Sequence, residues 1–211
     1  MTRTVFFDLD GTLTDPKQGI VGSIQYALGK LDVDIPDAEE LTWCIGPPLL
    51  ANFEILVGSE RAPAAVELYR ERFSTVGLYE NTPYPGIHDA LRTLQNAKLR
   101  LCVASSKPLI YVARILEHFE LIDYFSKVFG SELDGTRSDK SDLLRYALSE
   151  TGVDATDATM VGDRKHDIIG ALENGVTAVG VLYGYGSVEE LTRAGATRFA
   201  RSPKELASLL A

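Results

Sequence analysis

Val5-Phe6-Phe7-Asp8-Leu9-Asp10-Gly11-Thr12-Leu13-Thr14-Asp15 is the stretch on which the reading of this chain turns. An apolar run ends on a carboxylate, a second carboxylate follows two residues later, and Gly-Thr comes directly after. Such a run is the pattern of a strand buried on both faces, here Val5–Phe7, opening into a loop at Asp8. Carboxylates held close together repel and raise each other's proton affinity, so the pair is costly unless a cation or a reaction uses it. An Asp-Gly turn after an edge strand would give the same letters. A calcium loop would too, but it needs a glutamate at its twelfth position, and none stands there.

Similar apolar runs recur at Leu101–Ala104, Lys127–Phe129, Thr159–Val161 and Ala178–Leu182, with a last short one near Thr197–Ala200. Helical periodicity fills the intervals. Gly86–Ala97 carries Ile87, Ala90, Leu91 and Leu94 on one stripe, and Pro108–Phe119 opens with a proline at a plausible first helical position. Ser138–Thr151 and Lys165–Asn174 follow, the latter with Gly175 as its stop, and Ser202–Leu210 closes the chain as a short amphipathic helix. Alternating strands and helices predict a doubly wound α/β domain with a parallel sheet, whose functional loops lie beyond the carboxyl ends of the strands.

From Pro16 to Thr82 the pattern changes. Ile20, Ile24, Ala27, Leu28 and Leu31 recur at 3–4 spacing, then Leu49, Phe53, Leu56 and Val57, then Val66, Tyr69, Phe73 and Val76, with no strand alternation. The segment 16–82 is therefore expected to be a helical insertion of three or four helices, splitting a core made of residues 1–15 and 83–211.

Three further clusters follow core strands. Val161-Gly162-Asp163-Arg164-Lys165-His166-Asp167 places Asp163 at a strand mouth and Asp167 four residues on, able to point the same way; the plainer reading makes Asp163 a helix cap and Asp167 a solvated first-turn acid. Ser105-Ser106-Lys107-Pro108 offers hydroxyls and N–H groups suited to a phosphate at a helix N-terminus, or simply a capping serine before proline. Lys140 begins a helix, where a lysine is ordinarily solvated.

In order and spacing these four clusters resemble the motifs of the haloacid dehalogenase superfamily, over essentially the whole chain, with 16–82 in the interval where that family places its type 1 helical cap. The resemblance implies a Rossmann-like core and a magnesium-dependent phosphatase. It implies that Asp8 is the nucleophile that forms an aspartyl-phosphate, and that Asp10 protonates the leaving oxygen and then activates water. Ser105, with Ser106, would bind phosphoryl oxygens, and Lys140 would neutralise the nucleophile and the phosphoryl charge. Mg2+ would be held by Asp8, the backbone carbonyl of Asp10, Asp163 and Asp167, the last directly, through water or as support. Two departures stand out: a serine at 105 where threonine is at least as usual, and Ser141 after Lys140 where proline is common. Lys107 and Lys127 are alternative sources of the lysine charge.

The presence of Asp10 argues against the dehalogenases that name the superfamily, which typically lack it, while phosphomutases remain possible. Asp15–Ile20, Cys44–Leu49, Leu133–Ser138 and Val181–Ser187 are similar to stretches of the phosphoglycolate-phosphatase-like group, and within it of a subgroup called 5′-nucleotidases. The expected substrate is thus a nucleoside 5′-monophosphate, with phosphoglycolate or a sugar phosphate as the alternative. A phosphomutase or a non-catalytic phosphate-binding module is a more distant reading. Trp43, Phe53, Tyr69 and Phe73 are either cap core or a stacking surface for a base, and Arg137 and Arg72 either surface residues or contacts to a second polar group of the substrate. Gly184 and Gly186 read as a flexible turn after a strand.

Composition fits an ordinary globular enzyme: 211 residues, 45% hydrophobic and 24% charged. The net charge is -9 and no dense basic run occurs, which argues against a nucleic-acid polymer or an anionic membrane as partner. Two cysteines, Cys44 and Cys102, are too few for a zinc site or disulfide framework. With no signal-like leader before the first strand and no apolar stretch of spanning length, a cytoplasmic monomer is the expectation.

Overall fold

The computed structural model describes residues 3–211; Met1 and Thr2, part of the stretch before the first strand in which no leader was read, lie outside them. The chain forms two compact units, Met1–Asp15 with Pro83–Ala211, and Pro16–Thr82.

The strands in chain order are β1 (Thr4–Phe7), β2 (Thr14–Asp15), β3 (Thr82–Pro83), β4 (Arg100–Pro108), β5 (Lys127–Ser131), β6 (Ala158–Gly162), β7 (Thr177–Val181) and β8 (Phe199–Ala200). Six of them build one parallel sheet in the order β5-β4-β1-β6-β7-β8. The chain winds outward from β1 through β4 to β5, then returns to β6 on the other side of β1 and winds outward again. The strand order therefore reverses between β1 and β6, which is where doubly wound sheets open a crevice.

The helices are α1 (Lys17–Lys30), α2 (Leu49–Val57) and α3 (Ala62–Arg72) in the inserted unit, and α4 (Ile87–Asn96), α5 (Leu109–His118), α6 (Lys140–Thr151), α7 (Lys165–Glu173), α8 (Val188–Arg193) and α9 (Pro203–Leu210) in the sheet unit. Period-two alternation divides each central strand between two faces. Phe6, Cys102, Ala104 and Met160 join Leu143, Leu144 and Ala147 of α6 and Ile168 and Ala171 of α7 in one buried cluster. Val5, Phe7, Leu101, Val103 and Val161 fill the other side of the sheet, equally buried. Both faces are covered, so the strands read as unbroken apolar runs rather than as alternating ones.

Local differences from expectation have local causes. Pro108 is not the first residue of α5: it ends β4 and stands before the helix at φ -52, ψ 131. Ser105 and Ser106 accordingly lie within the irregular end of β4, where the register with β5 shifts, not on a helix N-terminus. Gly175 does follow α7 in a left-handed conformation, φ +70. The short helix α8 lies beyond the sequence reading; its signal was Ser187, whose side chain accepts the Glu190 N–H as an N-cap.

In the inserted unit, Phe53, Tyr69 and Phe73 are buried, with Tyr69 stacked on Phe73 at 5.0 Å and edge-on to Phe53 at 6.2 Å. These three form the unit's core instead of an open stacking surface, while Trp43 is partly exposed. Arg72 is held by a two-point ion pair to Glu80, at 2.8 and 2.9 Å, and by Ser23. Its charge is therefore satisfied inside the unit and not presented as an open anion contact. Cys44 and Cys102 are free and buried, and burial pushes the Cys44 thiol up to about 12, where it is inert at neutral pH. Among the described residues no helix is long and apolar enough to cross a membrane.

Phe6 sits at the centre of the sheet, fully buried against Phe129 and the α6–α7 cluster. Phe6→Ala is expected to lower unfolding stability by about 3–5 kcal/mol, measured by urea titration of the purified protein.

Candidate active site

β1, β4 and β6 end side by side. Phe7 is level with Val103 of β4 and Val161 of β6, and the Asp8 N–H continues the ladder by donating to the Val161 carbonyl at 2.9 Å. Asp8 follows β1, Asp163 follows β6 and Ser105 lies near the end of β4, so the parallel register gathers three residues far apart in the chain at one edge of the sheet. All three are buried.

The helices add the rest. Asp139 caps α6 by accepting the Ser141 and Asp142 N–H groups, which makes Lys140 the first helical residue. Its side chain turns inward: Lys140 Nζ donates to the Ala104 carbonyl at 2.9 Å and lies 3.0 Å from Asp8 Oδ1 and 2.8 Å from Asp167 Oδ1. Asp167, in the first turn of α7, accepts the Arg164 N–H through Oδ2. Its Oδ1 meets Lys140 off the hydrogen-bonding direction, so that contact is electrostatic. Asp163 is not the cap of α7, a place taken by Arg164; it is fully buried, with Oδ2 accepting the Tyr185 N–H at 2.8 Å.

Asp10 behaves differently. Its carboxylate forms a buried ion pair with Lys107, whose Nζ is 2.7 Å from one oxygen and 2.9 Å from the other. Lys107 entered the sequence reading only as a substitute for Lys140; the structure makes it the partner of Asp10. The signal was its place two residues after Ser105, at the end of the strand next to β1. Lys127 is half-buried at the start of β5 and donates to the Glu150 carbonyl, away from the site. Ser105 Oγ accepts the Lys107 N–H, and the Ser106 carbonyl accepts Ser131 Oγ. Arg137 is engaged within its own loop: its guanidinium pairs with Glu132 and lies over the Tyr146 ring at 4.4 Å, rather than touching Asp8, Ser105 or Lys140.

The electrostatics follow from the inventory. Four buried carboxylates, on Asp8, Asp10, Asp163 and Asp167, face two buried ammonium groups, on Lys107 and Lys140. Fully ionised, the site is two charges short of neutrality. Burial pushes Asp163 well above the ordinary carboxylate range, reinforced by Asp167 and Asp8. Burial also raises Asp167 to about 6, against the pull of Lys140. Asp10 is raised by burial despite Lys107. Lys140 is raised because Asp167 and Asp8 outweigh the desolvation that would lower it.

A divalent cation would close this deficit. Among the described residues, Asp8, Asp163 and Asp167 each offer an oxygen within 4.8 Å of the others, and Asp163 Oδ1 is buried with no hydrogen-bond partner. The donors are hard oxygens, suited to magnesium or manganese and not to a soft metal. The Asp10 carboxylate stands outside this group, turned to Lys107; any share it has in a metal site falls to its backbone carbonyl.

Residues 5–181 match the family model described as haloacid dehalogenase-like hydrolase. The chain is 48% identical over 189 residues to a 5′-nucleotidase of Pseudomonas aeruginosa, covering 89% of this chain and 86% of that protein. It is 37% identical over 195 residues to the tyrosine-protein kinase PtkA of Mycobacterium tuberculosis, covering 92% and 67%. Among solved structures, a predicted phosphatase from Clostridium acetobutylicum superposes with a TM-score of 0.95 at 42% identity, covering 100% of this chain and 99% of that one. The chain belongs to the haloacid dehalogenase-like hydrolases. Within them it is a phosphatase, a phosphoric monoester hydrolase acting on a small-molecule phosphate.

The raised carboxylates set the sign of a pH effect. Between the ordinary carboxylate value and about 6, folded Asp167 keeps a proton that the unfolded chain has lost, so its contribution to metal-free stability falls as pH rises through that window. His166, pushed down by burial, works the other way in both metal-free and metal-loaded protein. The expected outcome is that stabilisation by a divalent cation, taken as the difference in melting temperature with and without it, grows from pH 5 to pH 7.5. Equal stabilisation at both pH values would contradict a cation held by these carboxylates.

Proposed function

We propose that this chain is a magnesium-dependent 5′-nucleotidase that hydrolyses nucleoside 5′-monophosphates through a phosphorylated Asp8. The observation that carries the chemistry is the buried group in which Lys140 joins Asp8 to Asp167 beside the unpaired oxygen of Asp163. The substrate rests on the Pseudomonas relative and on the sequence stretches shared with that subgroup.

In the first step an Asp8 oxygen attacks phosphorus and the bond from phosphorus to the ester oxygen breaks. Asp10 gives its proton to the departing hydroxyl, which is the reason a carboxyl raised by burial suits this position. Lys107, already seated on Asp10, then stabilises the carboxylate left behind. In the second step that carboxylate takes a proton from water, the water oxygen attacks the aspartyl-phosphate, and inorganic phosphate leaves with Asp8 restored. Lys140 offsets charge on Asp8 and on the phosphoryl oxygens throughout, and Ser105, with Ser106, is assigned to hold those oxygens. Mg2+, bound by Asp8, Asp163, Asp167 and the Asp10 carbonyl, would supply charge neutralisation and orientation for the transferring group. Arg137 would reach substrate only by leaving Glu132 and Tyr146.

The nucleotide reading follows the Pseudomonas relative, the more similar of the two curated relatives above.

The test is inorganic phosphate release from UMP, IMP, AMP, phosphoglycolate and several sugar phosphates, with Mg2+ and with chelator. Release is expected only with the metal, with the nucleotides showing the highest kcat/KM. Asp8→Asn should fall to background and Asp10→Asn should lose ~10²–10⁴-fold in kcat. A preference for phosphoglycolate would replace the substrate and keep the mechanism, whereas undiminished turnover by Asp8→Asn would end the mechanism. Lys140→Met is expected to lose activity and, metal-free, to cost about 3–5 kcal/mol of stability, because it leaves buried carboxylates without their cation; urea titration reads this separately.

A further inference from the structure

Tyr183-Gly184-Tyr185-Gly186 leaves β7 and leads into α8. As sequence it reads as a flexible turn; as structure it is a tight packing element around Asp163. Neither glycine adopts a positive φ. Both are there because nothing larger fits. A Cβ on Gly184 would stand 2.2 Å from the Gly11 carbonyl and 2.4 Å from Asp163 Cβ, and one on Gly186 would stand 1.9 Å from the Asp163 carbonyl. From the other side Gly11, at φ +78, approaches so closely that its Cβ would lie 2.1 Å from Asp163 Oδ2.

Each tyrosine ties the loop down. The Tyr183 hydroxyl donates to the Thr12 carbonyl at 3.2 Å, and its ring meets Tyr84 edge-on at 4.9 Å. The Tyr185 N–H donates to Asp163 Oδ2, while its hydroxyl donates to Asp15. The loop is thus anchored at two points, Thr12 and Asp15, on the segment that follows Asp10, and its backbone packs against Asp163.

The consequence lies in what is left over. A loose carboxylate can swing both oxygens onto an ion. Asp163 is restrained: Oδ2 accepts the Tyr185 N–H, the backbones of Gly11, Gly184 and Gly186 pack closely against the residue, and Oδ1 remains as the buried oxygen without a partner. Calcium takes six to eight oxygens and readily accepts two from one carboxylate, whereas magnesium demands a small octahedral set with single oxygens.

We propose that the Tyr183–Gly186 loop is a metal-positioning clasp, with Tyr185 as its positioning residue, that restricts Asp163 to one ligand oxygen. It thereby sets the site's affinity for magnesium and its discrimination against calcium. The proposal rests on the magnesium reading above and adds to it a device outside the ligand set. Tyr185 touches neither substrate nor the reacting atoms; it acts through Asp163.

The experiment is calorimetric titration of the full-length protein with Mg2+ and separately with Ca2+, without substrate, for the wild type and three variants. Gly184→Ala forces the loop away from Asp163 and is expected to weaken Mg2+ binding by ~10–100-fold, the range for groups that orient metal ligands, with Ca2+ weakened less. Tyr185→Phe keeps the N–H and removes only the tie to Asp15. It is expected to lose Mg2+ affinity in the same direction by a smaller factor, and in turnover to raise the Mg2+ concentration for half-maximal rate more than it lowers kcat at saturating metal. Gly152→Ala, at the far end of α6 from Lys140 and with open space at its Cβ, controls for general destabilisation and should bind both ions as the wild type does. Wild-type affinities and an unchanged Mg2+ to Ca2+ ratio in Tyr185→Phe and in folded Gly184→Ala would overturn the clasp alone. If Gly184→Ala does not fold, Tyr185→Phe decides the matter by itself. A wild type that binds no Mg2+ would instead overturn the magnesium reading, and the clasp with it.

Discussion

The buried charge at the mouth of β1, β4 and β6 is the constraint around which this molecule is built. Four carboxylates and two lysines are withdrawn from water within one pocket, and desolvating an ion costs several kcal/mol even after the protein relaxes. Lys140 offsets part of that cost by meeting Asp8, Asp167 and the Ala104 carbonyl at once. Lys107 does the same for Asp10. What remains is a deficit of positive charge beside Asp163, and the raised proton affinity of Asp163 and Asp167 expresses it. A site under that tension favours whatever brings positive charge, which is the condition for holding a divalent ion and for receiving a phosphoryl group beside it.

The scaffold meets this constraint through register. Parallel pairing of β1 with β4 and β6 brings Asp8, Ser105 and Asp163 to the same end of the sheet, within one residue of a common level, without any direct link between them in the chain. The core beneath is rigid because Phe6, Met160 and their neighbours on α6 and α7 are fully buried on one face of the sheet. Positions on strand ends and first helical turns are held more narrowly than positions on long loops, and every member of the charged group except Asp10 stands on, or next to, such an end. Asp10 is held by its ion pair with Lys107 at the end of β4.

The two lysines show how roles divide in a crowded pocket. Both side chains are buried, yet one bridges Asp8, the proposed nucleophile, to the acidic group and the other sits on the proposed proton-transfer residue.

Much of this was legible in the letters of the chain. Apolar runs leading to Asp8, Ser105 and Asp163 mark buried strands, because a strand covered on both faces reads as a near-continuous hydrophobic run. Four-residue spacing puts Asp163 and Asp167 near one another across a helix start, and the helical periodicity of 16–82 marks a unit of different construction. Other features depended on contacts between distant segments and had no local signal. Lys107 and Lys140 are each a lysine beside a strand or helix end, and only tertiary packing assigns one to Asp10 and the other to Asp8. Phe53, Tyr69 and Phe73 could equally have lined a surface until helix packing buried them. Gly184 and Gly186 carry the letters of a flexible turn, but their role comes from Gly11 and Asp163, about 170 and 20 residues away, pressing against them. Sequence determines what each segment tends to bury and which residue types stand at its ends; which charge meets which, and which glycine must stay bare, is decided only when the sheet closes and brings those ends together.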